Sequence, residues 1–219
     1  MKLFTGFDPR ETEGWHAFIQ SLITTSSGYE LMPPLSGKTD GTNAFTLARF
    51  KIFDLVNWGL PCCYLDGADM LLRAPIEELF SLYDHRYAVQ VVKHDYVSRH
   101  DRKYVGTEME AANSSYPRKN WSSVMLINAG HRSHWKARNE IERALEDGDG
   151  SYLHRFAWLR DEEIGELPVE WNWLPQEMGE NENAKLIHYT LGGPFFAHYR
   201  DTEMSNHWHD VAKTLHSER

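Results

Sequence analysis

Apolar side chains along this chain follow two alternating rhythms: short apolar runs closed by turn residues, and longer stretches in which they recur every three or four positions. The first rhythm predicts buried strands, the second amphipathic helices. Residues 2–7 read as a strand ended by Gly6 and Asp8-Pro9, and 13–25 as a helix with Trp15, Phe18, Ile19 and Leu22 on one face. A second strand over 29–32 is closed by Pro33-Pro34, and 35–43 reads as loop. Phe45, Ala48, Ile52, Phe53 and Val56 recur at helical spacing over 45–56. A buried strand over 61–66 follows the turn at Trp58-Gly59, and a helix starts at Pro75, a residue suited to a first turn. Further strands are predicted over 87–93, 124–128 and 185–189. A charged helix over 133–146 stops at Gly148, and a short one covers 152–159.

Residues 94–121 are polar, charged and aromatic without a period, which predicts a long excursion over the surface, a kind of loop that often carries function. Residues 198–219 read as a polar helical tail. Strands alternating with helices imply one α/β domain over 1–219, with a mainly parallel central sheet flanked by helices. No Walker-type glycine loop and no dinucleotide fingerprint occurs, so a bound nucleotide would need a metal bridge rather than a glycine cradle.

Composition narrows the function classes. The net charge of −9 over 219 residues offers no basic face, which argues against a nucleic-acid-binding protein. Aromatic residues make up 13%, a content that suits cores and stacking sites alike. The two cysteines, Cys62 and Cys63, are adjacent in an apolar strand, point to opposite faces, and fit free thiols in a reducing compartment. The strand-like start gives no sign of a signal peptide and no apolar run is long enough to span a membrane, so a cytoplasmic protein is expected.

Candidate chemistry gathers at the ends of the predicted strands. In Tyr64-Leu65-Asp66-Gly67-Ala68-Asp69 an apolar strand ends in two carboxylates, which are costly there unless paired, hydrogen-bonded or bound to a cation. They read either as ligands for Mg or Mn or as a polar turn in which Asp69 caps the next element. His188, ending another apolar strand, is either a third ligand or a satisfied, partly buried histidine. Gly6-Phe7-Asp8 offers backbone groups and a carboxylate to a base edge, or is an ordinary strand-to-helix turn. Arg49, alone in an apolar stretch, requires a diphosphate, a strand-end carboxylate or an outward-facing position. Asp161, Glu162 and Glu163 lie near Trp158 and Trp171, and fit a sugar site or a solvated helix end.

The order of these segments carries a resemblance. Gly6-Phe7-Asp8, Ala48-Arg49-Phe50, Tyr64-Leu65-Asp66-Gly67-Ala68-Asp69-Met70-Leu71, Ser123-Val124-Met125-Leu126-Ile127-Asn128, Asp161-Glu162-Glu163-Ile164 and His188-Tyr189-Thr190-Leu191-Gly192-Gly193-Pro194-Phe195 succeed one another over about residues 2–200. The succession resembles the GT-A-fold glycosyltransferases, especially the group of glycogenin and the bacterial lipooligosaccharide galactosyltransferases. The resemblance implies a Rossmann-type GT-A sheet and a nucleotide-sugar donor, a UDP-sugar by preference, whose diphosphate is bridged by Mn or Mg. It implies Asp66, Asp69 and His188 as metal ligands and Gly6, Phe7 and Asp8 at the nucleobase. It places Arg49 near the donor, Ser122 and Ser123 at the sugar pocket, and Asp161 and Glu162 facing the reacting carbon.

Two departures stand out. The aspartates are one residue further apart than in the usual motif, and Gly193-Pro194-Phe195 replaces the usual phosphate-contacting lysine, leaving the amides of Gly192 and Gly193 as substitutes. The implied reaction transfers a sugar to a hydroxyl acceptor (a glycan, protein, lipid or modified nucleobase) with retention of configuration. Two other classes stay open: a nucleotidyltransferase of similar architecture, and a non-catalytic binder of nucleotide sugars.

Overall fold

The computed structural model describes residues 1–37 and 43–217. Part of the predicted loop over 35–43, residues 38–42, and the last two residues of the tail lie outside the described residues.

β1 (Lys2–Thr5) runs inside a six-stranded sheet between β2 (Glu30–Leu31) and β3 (Pro61–Leu65), parallel to both. Beyond β3 come β8 (Val124–Asn128), β5 (Val89–Val91) and β9 (Ile164–Glu166). β5 and β9 are parallel, and only β8 runs against its neighbours. The sheet is therefore mainly parallel, as expected, with one reversed strand. Both faces are covered, so the central strands carry apolar residues at successive positions. Cys62 and Tyr64 of β3 join one core cluster and Cys63 and Leu65 the other, as the pleat requires.

One face is covered by α1 (Thr12–Thr25) and α3 (Ile76–Phe80), through Phe18, Leu22, Ile76 and Leu79. Trp15 and Ile19, expected on the buried face of α1, are only half-buried, and Ala17 and Ser21 are buried in their place. The other face is covered by α2 (Ile52–Leu55), α5 (Arg138–Asp147) and α6 (Gly150–His154).

Several predicted elements are shorter or broken. The expected helix over 45–56 is a 3-10 turn, Ala48–Lys51, running into α2 and stopped by Asn57 and Trp58 in the left-handed region. The charged helix is divided at Ala137 into α4 (Arg132–Lys136) and α5, which ends at Gly148 as expected. The expected helix over 152–159 is α6, one turn earlier, and a further short helix, α7 (Pro175–Met178), was not expected. The tail forms α8 (Ser205–Ser217), packed on α1 and around Leu71 and Ile187.

Two small ribbons complete the fold. β6 (Arg102–Lys103) and β7 (Ala111–Ala112) form a hairpin inside the excursion, which also buries Tyr104 and Met109. The excursion is thus tied into the molecule rather than laid over its surface. β4 (Met70–Leu72) pairs antiparallel with β10 (Leu186–His188), and His188 lies opposite Met70. Sequence reading missed β4 because its three residues follow a turn without a break in the apolar pattern.

Candidate functional site

Register and one turn bring the two aspartates and the histidine together. Asp66 follows β3 and donates its backbone N–H to the carbonyl of Ser123, the residue before β8. The chain then reverses through Gly67, whose φ of 84° is in the region that glycine tolerates. Met70 N–H closes the turn on the Gly67 carbonyl at 2.9 Å. The ribbon of β4 and β10 sets His188 one residue beyond Asp69, and Tyr189 N–H bonds the Asp69 carbonyl at 2.8 Å. The extra residue between the aspartates is taken up by the Gly67 turn. One ligand atom from each of Asp66, Asp69 and His188 lies within 4.8 Å of the others, and all three residues are buried.

The protonation pattern of this cluster follows from its partners. His188 Nδ1 lies 2.8 Å from Asn172 Oδ1, and Asn172 Nδ2 donates to the Asn120 carbonyl at 3.2 Å. The amide oxygen of Asn172 therefore faces the ring, and Nδ1 carries the proton. The other ring nitrogen, Nε2, faces Asp69 Oδ2, 3.3 Å away, and Asp66 Oδ2, 4.0 Å away. This nitrogen and two carboxylates converge on one point, and Asp69 Oδ1 is buried with no hydrogen-bond partner among the described residues. Two buried carboxylates so close repel each other, and a cation among them relieves that repulsion. Two carboxylates and an imidazole are a donor set for Mn or Mg, so the residues fit the implied ion.

Arg49 neutralises one carboxylate. Its Nη1 lies 2.9 Å from Asp66 Oδ1 and donates to the Ser122 carbonyl at 2.8 Å, while Nε donates to the Thr46 carbonyl at 3.0 Å. Burial pushes the Asp66 carboxyl above the usual carboxylate range, with Arg49 acting against that shift and Asp69 adding to it. One guanidinium for two buried carboxylates leaves negative charge uncompensated.

A cavity of about 510 Å³ opens over this cluster, within the size range of small-ligand sites. Arg49, Asp66, Asp69, Ser122, Ser123 and His188, all candidate site residues of the sequence, line it. Ser122 Oγ lies 2.8 Å from His154 Nδ1, and burial beside Arg49 holds the His154 pKa down to about 3, so that imidazole is neutral. Much of the remaining wall was not anticipated. The excursion contributes Lys103, Tyr104, Asn113, Tyr116, Lys119 and Asn120, and the α6 region contributes Gly150, Ser151, His154 and Arg155.

Other expected site residues lie elsewhere. Asp8 does not line the cavity: its carboxylate accepts from Arg10 and from Ala44 N–H, and so caps the turn before α1. Gly6 N–H bonds the Leu65 carbonyl and Phe7 N–H the Leu35 carbonyl, so both amides are used by the sheet edge. Gly192 N–H is bonded to the Tyr189 carbonyl, and a Cβ on Gly192 or Gly193 would collide with the rings of Tyr199 and Phe195. These two glycines are explained by packing.

Asp161 and Glu162 do not line the cavity. They form a 3-10 turn leading into β9, are exposed, and pair with Arg118 and Arg160 outside the cavity lining. The expected signal there, acids beside tryptophans, comes from Trp158 packing into the core next to His134. The residues missed are Asn172, Lys119, Arg155 and His154. Asn172, lying between two tryptophans and buried, was the one with a local signal.

The sheet order, the ribbon carrying His188 and the cluster at the carboxyl ends of the strands define a class: the fold is that of the GT-A glycosyltransferases. Solved structures agree. The chain superposes on the glycosyltransferase GlyE of Streptococcus pneumoniae TIGR4 with a TM-score of 0.64 and 13% identity, over 96% of this chain and 59% of GlyE. It superposes on the galactosyltransferase LgtC, solved with donor and acceptor sugar analogues, with a TM-score of 0.62 and 12% identity over 98% and 96% of the two chains. The bifunctional glycosyltransferase WbbM gives 0.59 at 14% identity, over 97% of this chain and 49% of WbbM. The chain thus spans little more than half of GlyE and about half of WbbM. No protein-family model matches it.

In sequence the chain is 34% identical to Protein CDI of Arabidopsis thaliana over 229 residues, covering 94% of this chain and 84% of that protein. It belongs to the family of Protein CDI.

Proposed function

We propose that this protein is a metal-dependent glycosyltransferase that moves a sugar from a nucleotide-sugar donor, by preference a UDP-sugar, to a hydroxyl acceptor. The observation that carries the reading is the convergence of Asp66, Asp69 and Nε2 of His188 on one point in the lining of a cavity of about 510 Å³. The fold shared with LgtC and GlyE supports it.

Asp66, Asp69 and His188 would hold Mn or Mg, which as a Lewis acid stabilises the charge that builds on a departing diphosphate. Arg49 holds Asp66 in place through their ion pair and adds positive charge beside it. Ser122 and Ser123 bring small polar side chains to the same wall. Among the described lining residues the carboxylates are Asp66 and Asp69, both turned to the ion site, so leaving-group stabilisation is what this chain supplies. Retention of anomeric configuration rests on the family resemblance.

Cytoplasmic residence is part of the proposal. Cys62 and Cys63 are buried and unbridged, which suits a reducing compartment. No described helix is long and apolar enough to cross a membrane.

The test is incubation with a panel of nucleotide sugars, with and without Mn, following nucleotide release. Metal-dependent release from one donor is expected, and Asp66→Asn should abolish it. Donor binding without release for every sugar and acceptor tried would favour a non-catalytic binder, a reading that the displacement of Asp161 and Glu162 from the cavity keeps in view.

A further inference from the structure

The excursion and the α6 region bring two cations to this cavity that form no ion pair among the described residues. Lys119 is buried, with its Nζ donating to the neutral Asn113 Oδ1 at 2.6 Å and lying 5.9 Å from the centre of the Tyr96 ring. No described carboxylate forms an ion pair with it. Arg155 is half-buried, its Nε is shut off from solvent without a hydrogen-bond partner, and its guanidinium likewise lacks an ion pair. The two segments are joined, because Arg118 donates to the Arg155 carbonyl. Both side chains line the cavity that holds the Asp66–Asp69–His188 cluster.

An ammonium taken out of water without a counter-charge is costly, and proteins rarely keep one without a use for it. Burial lowers the Lys119 pKa, with Glu177, which forms no ion pair with it, acting against that shift and Lys103 adding to it. A lysine and an arginine that line one polar cavity are the donor types of phosphate and carboxylate recognition, the arginine as a fork and the lysine as a point charge.

We propose that Lys119 and Arg155 form an oxyanion subsite that takes a phosphate or carboxylate of the substrates. The subsite stands on the cavity's own residues, and only the source of its anion rests on the proposed glycosyl transfer. One source is the donor diphosphate, for which these cations would replace the lysine that Gly193-Pro194-Phe195 lacks. The other is an anionic group on the acceptor.

The experiment uses the full chain and titration calorimetry with UDP, inorganic pyrophosphate and glucose 6-phosphate, each with and without Mn. Wild type should bind at least one of these probes. Lys119→Met and Arg155→Gln should each weaken that binding about ten-fold, the scale of one lost charge-assisted contact. Loss for UDP and pyrophosphate assigns the anion to the donor, and loss for glucose 6-phosphate alone assigns it to the acceptor. Unchanged binding in both variants, or no binding of any probe by wild type, overturns the subsite.

Thermal melting of the unliganded protein separates a binding role from a structural one. Lys119→Met should raise Tm, because it removes an uncompensated buried charge. A fall in both Tm and binding for Lys119→Met would overturn the proposal. Mn binding in the absence of nucleotide, followed by electron paramagnetic resonance, reports the Asp66–Asp69–His188 cluster alone. Failure there would sink the glycosyltransferase reading without touching the subsite.

Discussion

The side-chain amide of Asn172 accepts from His188 Nδ1 and donates to the Asn120 carbonyl, and this fixes which nitrogen of His188 faces the aspartates. Asn172→Ala releases the ring, and the Mn affinity measured by paramagnetic resonance should fall about 10–100-fold, as for other groups that orient a ligating histidine. Asn172→Asp keeps an acceptor at that place and should retain more affinity than Asn172→Ala. Equal affinity in wild type and Asn172→Ala would put His188 outside the ion's shell. The aspartates and His188 were legible as polar residues at the ends of apolar runs and Arg49 as a lone charge within one, whereas Ser122 and Ser123 came from the family resemblance alone. Asn172 had a local signal, a polar residue between two tryptophans, but its role exists only through His188, sixteen residues away in sequence.

Two elements meet the site closely enough for single substitutions to report on it. α1 presses on the turn after β3 at Gly14, where an added Cβ would lie 2.2 Å from the Ala68 carbonyl oxygen and 2.3 Å from the Phe195 ring. Gly14→Ala should destabilise the fold by about 1–3 kcal/mol in urea unfolding, the usual cost of overpacking. At Gly67 the demand is conformational rather than steric. Gly67→Ala should cost about 1–2 kcal/mol for the left-handed backbone and weaken Mn binding, with Gly67→Asn milder on both counts. A Gly67→Ala variant as stable as wild type would refute the strained-turn account of the extra residue between Asp66 and Asp69.

α4 is held by His134, whose Nε2 lies 2.9 Å from the Ala88 carbonyl and whose Nδ1 lies 3.0 Å from Trp158 Nε1. The indole N–H must donate, so Nδ1 is unprotonated and the ring is neutral. Burial lowers the His134 pKa to about 4, against about 6.5 in an unfolded chain. The unfolded state therefore takes up a proton first. This contribution to stability is complete above pH 6.5 and is lost as pH falls from 6.5 toward 4, at about 1.4 kcal/mol per pH unit. His134→Gln preserves a donor and an acceptor without a titration, and should flatten that acid limb in urea unfolding followed by circular dichroism. An unchanged limb would mean that His134 is not responsible for it.

Across the whole molecule, folding gathers negative charge at the carboxyl ends of the strands and positive charge on the cavity wall, in a protein of net charge −9. An ion that binds the folded cluster and not the unfolded chain stabilises by mass action. Mn at about 100 times its Kd should therefore add about 2.7 kcal/mol and raise Tm. The rise should vanish in Asp66→Asn and on adding a chelator. A Tm that ignores Mn would place the ion outside the folded cluster.

The sequence by itself determined five of the six strands of the main sheet, all but β9, the mainly parallel order within an α/β fold, and the candidate polar residues at the strand ends. Each of these depends on local pattern: apolar runs bury, turn residues stop them, and a carboxylate at such a stop is conspicuous. Tertiary structure alone decided which of those residues meet. His188 reaches Asp69 across 119 positions through a ribbon whose short strand β4 had no pattern of its own. The same long-range packing turned the aperiodic 94–121 segment into a cavity wall and left Asp161 and Glu162 on the surface, because contacts between distant segments leave no period in the chain for a reader to find.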